Sequence, residues 1–237
     1  EFRRVLFRSG VLVTQAALAA NARAIATHGL ALRVGDRCTS WLPLYHDMGL
    51  VGCCLTPVMT QISVDYLSTT AFARRPLVWL ELISRMGGTI SFGPTFGFEL
   101  CARRAANGTA RDLDLSSWRV AGIGGEMIRP QALAAFADTF EPMGFNPRAF
   151  VPSYGMAEAT LAVTFSRLGR GVRVDRVARG DTFERDHLAL PAGESVAPSG
   201  SRSFVVCGAP MPGYAIEIRD EAGTVLPERQ VGRICIK

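Results

Sequence analysis

The sequence predicts an α/β fold: a layered, mostly parallel sheet with crossover helices, plus a smaller, mainly β subdomain at the C-terminal end. Three observations lead there. From Gly10 to about Gly169, helical and strand-like patterns alternate, as parallel strands joined by crossover helices require. No internal repeat and no low-complexity tract interrupts that pattern. After Gly169 the chain turns polar and rich in arginine, glycine and proline, and then gives only short strand-like runs.

The elements follow in order. Thr14 is an N-cap for an alanine-rich helix over Gln15 to Thr27, with Gly29 as its stop. Cys38 to Leu42 reads as a strand, Met48 to Thr60 as a buried helix, and Ile62 to Leu67 as a strand. Leu77, Leu80 and Ile83 give Pro76 to Met86 a helical period. Thr89 to Phe92 is a strand, Phe96 to Ala106 a helix, and Trp118 to Ile123 a strand. Pro130 to Phe140 is a helix with proline in its first turn, and Ala149 to Val151 ends another strand. Beyond 170, Phe204 to Cys207, Tyr214 to Arg219 and Arg233 to Ile236 read as strands.

Composition narrows the function classes. The 237 residues are 48% hydrophobic, 20% charged and 8% aromatic, ordinary for a globular protein with a real core. No apolar run approaches the roughly 20 residues of a transmembrane helix, and EFRRVLFRSG lacks the apolar core of an export signal. The expected compartment is the cytoplasm. The net charge is +5 and the pI about 9.1, yet the arginines are scattered and form no basic stripe, so nucleic acid is not an expected partner. Six cysteines show no CxxC spacing, which argues against zinc and, for Cys53 and Cys54, for small core residues.

Three islands carry chemistry. In WLPLYHDMGLVG (41 to 52), His46 and Asp47 follow a strand and precede an apolar helix. His46 could orient or gate an anionic substrate; equally, it could be a buried, hydrogen-bonded histidine beside a helix cap at Asp47. In VAGIGGEMIRP (120 to 130) a strand runs into Gly124, Gly125 and Glu126, where glycines let a flat or charged ligand touch backbone, or simply form a tight turn. In VPSYGMAEAT (151 to 160), Tyr154 offers an aromatic face for a purine and Gly155 permits close backbone approach. Glu158 offers a hard oxygen ligand of the kind Mg²⁺ takes; the same residues would also suit a helix start with an acidic first turn.

Together and in this order, with RRPLVWLELISR (74 to 85), TISFGPTFGF (89 to 98) and VPSYGMAEATLAVTF (151 to 165), these stretches resemble the adenylate-forming superfamily of acyl-CoA synthetases, adenylation domains and luciferases. YGMAEAT and LPLYHDMGL resemble its fatty acyl-AMP ligase branch most closely. The resemblance implies attack of a fatty acid carboxylate on the α-phosphate of ATP, giving acyl-AMP and pyrophosphate with Mg²⁺ as cofactor, and transfer of the acyl group to an acyl carrier protein. It implies that Ser153, Tyr154, Gly155, Met156 and Ala157 contact the nucleotide, with Tyr154 stacked on adenine. Gly124, Gly125 and Glu126 would line the acyl-adenylate pocket, Glu158 would bind Mg²⁺, and His46 would gate the acyl carboxylate. His46 and Glu158 are thus the expected catalytic residues, and Phe92, Phe96 and Phe98 would help wall the acyl tunnel.

The departures shape the domain reading. The family's glycine- and serine-rich phosphate loop should precede Gly10, where EFRRVLFRS stands instead, so residues 1–9 read as a non-native leader. Residues 10–169 form the α/β part of the AMP-binding domain, and 170–237 a β-rich subdomain with a family insertion at 172–203. The chain stops at GRICIK, before the family's ribose-binding aspartate, hinge and lid lysine. It therefore reads as a fragment, inactive alone. The rival readings are an acyl-CoA synthetase and, from other classes, a non-catalytic binding module or a truncated gene product.

Overall fold

The computed structural model describes residues 10–106, 112–193 and 197–237. The leader read at 1–9 lies outside them. Thr14 caps α1 (Gln15–Ala24) as its sequence predicts, its hydroxyl accepting from Ala17 N at 3.1 Å. The helix then widens into a π-helical turn over Ile25–Gly29. After β1 (Arg37–Ser40), the apolar run also opens as π-helix over Met48–Leu55 and tightens only into α2 (Thr56–Thr60). Asp47 starts that run by accepting from Met48 N at 2.7 Å.

The elements that follow are β2 (Ser63–Tyr66), α3 (Thr69–Arg74), α4 (Leu77–Met86), β3 (Ile90–Gly93) and α5 (Thr95–Arg104). Next come β4 (Val120–Ile123), α6 (Pro130–Phe140), β5 (Phe150–Gly155) and β6 (Ala162–Phe165). The later strands are β7 (Val174–Ala178), β8 (Ser201–Val205), β9 (Ala209–Pro210), β10 (Ile216–Arg219) and β11 (Arg233–Ile236), with α7 (Asp181–Glu184) between β7 and β8.

One seven-stranded sheet runs β2-β1-β3-β4-β5-β6-β9. Its first five strands are parallel, as the alternation of elements predicts, and β6 and β9 are antiparallel additions. Two antiparallel ribbons, β7 with β8 and β10 with β11, complete the described strands. The sheet is therefore mixed, and β9 takes the later part of the chain back into it.

Each parallel strand sends alternate side chains to opposite faces, and the two faces differ. Ala121, Ile123 and Phe150 face the larger core, filled by helices α4, α5 and α6. Trp79, Trp118, Phe98, Phe136, Phe140 and Phe145 meet there, all fully buried, in edge-to-face and stacked pairs such as Trp79–Phe98 at 5.1 Å. Phe72 of α3 stacks on Trp41 with ring centroids 3.7 Å apart. Ile90, Val120 and Val151 face the smaller core, with Ile25, Leu30, Ala162 and Met211. Helix α1 and the run ending in α2 lie on that side.

An ionic knot ties the lower edge together. Buried Asp36 accepts from Arg33 N at 2.7 Å, from the Thr89 hydroxyl at 2.8 Å and from Arg119 Nε at 2.8 Å, and pairs again with Arg119 Nη2. Burial alone would raise the Asp36 pKa. The Arg119 side chain, the Arg33 amide and the Thr89 hydroxyl outweigh it and hold the carboxyl below its ordinary value. Arg119 also reaches Leu30 O at 2.9 Å, so β4 is bonded to the end of the α1 turn.

Candidate active site

The three islands come together at the carboxyl ends of β1, β3, β4 and β5, where open parallel sheets bind ligands. A cavity of about 190 Å³ opens there on the smaller-core face. His46, Gly124, Gly125, Ser153, Tyr154 and Gly155 line its polar side, and Ile25, Leu30, Cys53, Ile90, Phe92 and Phe165 contribute to its apolar depth. A mostly apolar recess with a few polar groups at one end suits a ligand with an apolar chain and a polar head.

Each wall has a local cause. Gly125 has φ +81°, a left-handed conformation that favours glycine, so the β4 strand turns sharply before α6. A Cβ there would meet only the Met48 methyl, at 3.6 Å, which leaves ligand-sized room beside the backbone. Ser153 is fixed by donating its hydroxyl to Ile123 O at 3.1 Å, so β4 and β5 end side by side. Gly155 is a glycine for a reason internal to the protein. The β5–β6 register shifts between Tyr154 and Gly155, and a Cβ on Gly155 would fall 1.9 Å from Leu161 O. The close approach that the sequence allots to a ligand is made by the chain itself.

His46 is half-exposed at the cavity wall, its Nδ1 2.8 Å from Asp47 Oδ1 and 3.2 Å from Met48 N. Asp47 both caps the following helix and sits against the imidazole. The ring is thus held by its neighbour, which leaves Nε2 as the nitrogen a ligand could use.

Several expected residues stand elsewhere. Glu126 does not line the cavity; its carboxylate accepts from Phe96 N at 2.9 Å, satisfying an orphan amide of the first turn of α5. Of the three phenylalanines, only Phe92 faces the cavity. Phe98 is wholly buried in the larger core, stacked on Trp118 at 6.0 Å, because position 98 falls on the inner face of α5. Phe96 is 40% exposed, outside the recess. Met156, Ala157 and Glu158 lie beyond the wall, in and just before a single 3₁₀ turn, Ala157–Ala159. No α-helix starts there: strand β5 leads through the turn into antiparallel β6.

Glu158 is exposed on that turn, and among the described residues its carboxylate has no hydrogen-bond or ion-pair partner. Among the described residues no three His, Cys, Asp or Glu side chains cluster as a metal cage. A lone hard carboxylate fits Mg²⁺ arriving with a polyphosphate, since that ion uses one or two carboxylates and keeps waters and phosphate oxygens. Thr160, which closes the turn, has φ +72° and ψ −55°, a conformation that costs a β-branched residue on the order of 1–3 kcal/mol.

Two residues that no spacing argument picks out reach this turn. The Tyr214 hydroxyl donates to Ala159 O at the end of the turn, and buried Asn21, from the opposite end of the chain, bonds Ala162, where β6 begins. Their sequence separation, 141 residues for Asn21–Ala162, hides them from any local pattern.

A family model described as "AMP-binding enzyme" matches residues 9–237. A putative acyl-CoA synthetase from Caulobacter vibrioides is 51% identical over 97% of this chain and 40% of its own length. The medium-chain-fatty-acid–[acyl-carrier-protein] ligase JamA of Moorena producens is 39% identical over 76% of this chain and 30% of its own. A solved chain from structural and functional studies of the fatty acyl-adenylate ligases of E. coli and L. pneumophila superposes with a TM-score of 0.91 at 52% identity, covering 96% of this chain and 41% of that one. This chain thus spans 40% or less of the length of the two curated relatives.

Proposed function

Since the chain belongs to the AMP-binding enzyme family, we propose that it forms the central part of a fatty acyl-AMP ligase, joining a fatty acid to AMP from ATP with release of pyrophosphate. The observation that carries this is the cavity: an apolar recess whose polar end is built from His46, Gly124–Gly125 and Ser153–Gly155. An acyl chain fills the recess, and its carboxylate sits at the polar end beside the nucleotide.

The residues then take these roles. Tyr154 gives the adenine an aromatic face, and the Gly124–Gly125 backbone admits the flat acyl-adenylate. His46, oriented by Asp47, meets the carboxylate at the entrance. Glu158 holds Mg²⁺, which neutralises polyphosphate charge when bound. Catalysis by these groups is positioning and charge stabilisation, with the reacting carboxylate held in line with the α-phosphate. Strand β7 and the start of β8 fall within the family insertion read at 172–203, and residues 10–169 and 170–237 are the two parts of one AMP-binding domain. ATP supply places the reaction in the cytoplasm.

Fatty-acid-dependent ATP–pyrophosphate exchange by the full-length protein tests the reading. Exchange with medium- or long-chain acids is expected, and none with the 237-residue chain alone. Absence of exchange with every fatty acid in the full-length protein would sink it. The acyl acceptor has two candidates. JamA's name supports an acyl carrier protein. The Caulobacter relative, named a putative acyl-CoA synthetase, favours CoA as the second reading. Product analysis with both acceptors present separates them: acyl-carrier thioester supports the first, and acyl-CoA as main product supports the second.

A further inference from the structure

Asn21 is 2% exposed and uses its whole amide. Its Nδ2 donates to Ala162 O at 2.8 Å and to the Tyr214 hydroxyl oxygen at 2.9 Å, while its Oδ1 accepts from Ala162 N at 3.2 Å. The Tyr214 hydroxyl passes its own proton on to Ala159 O at 3.1 Å. Ala159 ends the 3₁₀ turn and Ala162 begins β6, so the two side chains bracket Thr160 and Leu161 from both sides. Only one orientation of the Asn21 amide satisfies Ala162 N–H and C=O together. Tyr214 is itself set by its N–H to Met211 O at 3.0 Å, and Met211, packed in the smaller core, donates its N–H to Val163 O at 2.9 Å.

The turn needs such support. Its own bonds are Thr160 N to Ala157 O at 2.9 Å, Ala159 N to Met156 O at 3.1 Å and Met156 N to Leu161 O at 2.8 Å, and it ends on a buried threonine at positive φ. A strained residue persists only where its surroundings over-determine it. The network supplies that, because unmaking it would strand the N–H and C=O of buried Ala162 and loosen the Ala159 carbonyl.

We infer that Asn21 and Tyr214 are positioning residues for the Ala157–Ala159 turn, and through it for Glu158 and the Mg²⁺·ATP it meets; this rests on the adenylation reading above. Neither lines the cavity, and both act through the backbone of Ala159 and Ala162. Ala162 does line the cavity, but its place in β6 is also held by pairing with Gly155, so the larger effect falls on the turn at the nucleotide end of the site.

The test uses Tyr214→Phe, which keeps the ring, and Asn21→Asp, which keeps the volume but turns a carboxylate toward Ala162 O, both in the full-length protein. Amide hydrogen exchange without nucleotide or metal should show the amides of Met156, Ala159, Thr160 and Ala162 exchanging about tenfold faster in Tyr214→Phe, with those of β4 unchanged. In pyrophosphate exchange the KM for Mg²⁺·ATP should rise about fivefold while the fatty acid KM stays within about twofold. Unchanged amide exchange in the turn overturns the inference, and so does a fall in kcat with both KM values fixed, the mark of lost folded enzyme alone. Failure of the adenylation reading is visible separately, in a wild type that exchanges pyrophosphate with no fatty acid.

Discussion

The two faces of the central sheet are built from the same strands and put to opposite uses. On one face, Ala121, Ile123 and Phe150 meet a wall of interlocked rings from α4, α5 and α6. On the other, Ile90, Val120 and Val151 meet α1 and the π-helical run, and about 190 Å³ stays open. Apolar character does not distinguish the faces; complementarity of volume does. Glycines make the difference concrete. Gly122 points to the open face, and the space its side chain would fill holds the Phe92 ring, 2.0 Å from a notional Cβ.

That contrast can be broken from the packed side first. Trp118→Ala removes a ring that touches Trp79, Phe136 and Phe145 and strands Val120 O, which accepts from Trp118 Nε1 at 2.8 Å. Denaturant unfolding should show a loss of about 3–5 kcal/mol. A loss below about 1 kcal/mol would mean that the ring wall is not the stabilising face.

Arg119→Ala comes next, since Arg119 bonds the edge of β4 to the helix end on the open side. Leaving Asp36 buried without its partner should cost about 3 kcal/mol at neutral pH. The sign with pH follows from the lowered Asp36 pKa. In the wild type this stabilisation is present above the unfolded carboxylate value of about 4 and is lost as pH falls through the lower folded value. The variant should therefore lose less stability on acidification, which urea midpoints at neutral and acidic pH would measure.

Gly122→Ala sharpens the contrast on the open face. The added methyl drives the Phe92 ring away, and the cavity is where it can go. A cost of about 1–3 kcal/mol is expected, with shorter acyl chains favoured in pyrophosphate exchange. The smallest effect belongs to Phe92→Leu. Stability should change by less than about 1.5 kcal/mol, while branched or bulkier acyl chains gain relative to straight ones. An unchanged chain preference in both variants would separate the cavity from the acyl group.

The parallel strands β3, β4 and β5 were legible because each opens on apolar residues and runs into a glycine or turn signal. The caps at Thr14 and Asp47 were legible because a side chain bonding an amide one to three residues on is a local event. Strand β6 was not. AVTF is four residues, and its antiparallel pairing depends on the bulge at Gly155 rather than on its own pattern. Strand β7, VDRVA, is hidden in an arginine-rich stretch because only Val177 is fully buried. Helix α3 escaped notice because its six residues show no full period. The π-helical turns also left no mark, since periodicity over eight residues cannot tell that geometry from an α-helix. At the site, Glu126 and Phe98 were read by their neighbours in sequence, whereas their partners are Phe96 N and Trp118.

The reversal of direction between β5 and β6 carries a further consequence. A parallel neighbour would need a crossover of a dozen residues or more; the antiparallel one is reached in six, Met156 to Leu161, of which three form the 3₁₀ turn. Such a connection has no slack. An insertion or deletion there shifts the pairing of Tyr154 with Thr164 and turns side chains to the wrong face. The loop holding His46 runs between β1 and a helix start and has no strand pairing to keep in register. Random length variation followed by selection should therefore find functional diversity in the histidine loop and almost none in the hairpin.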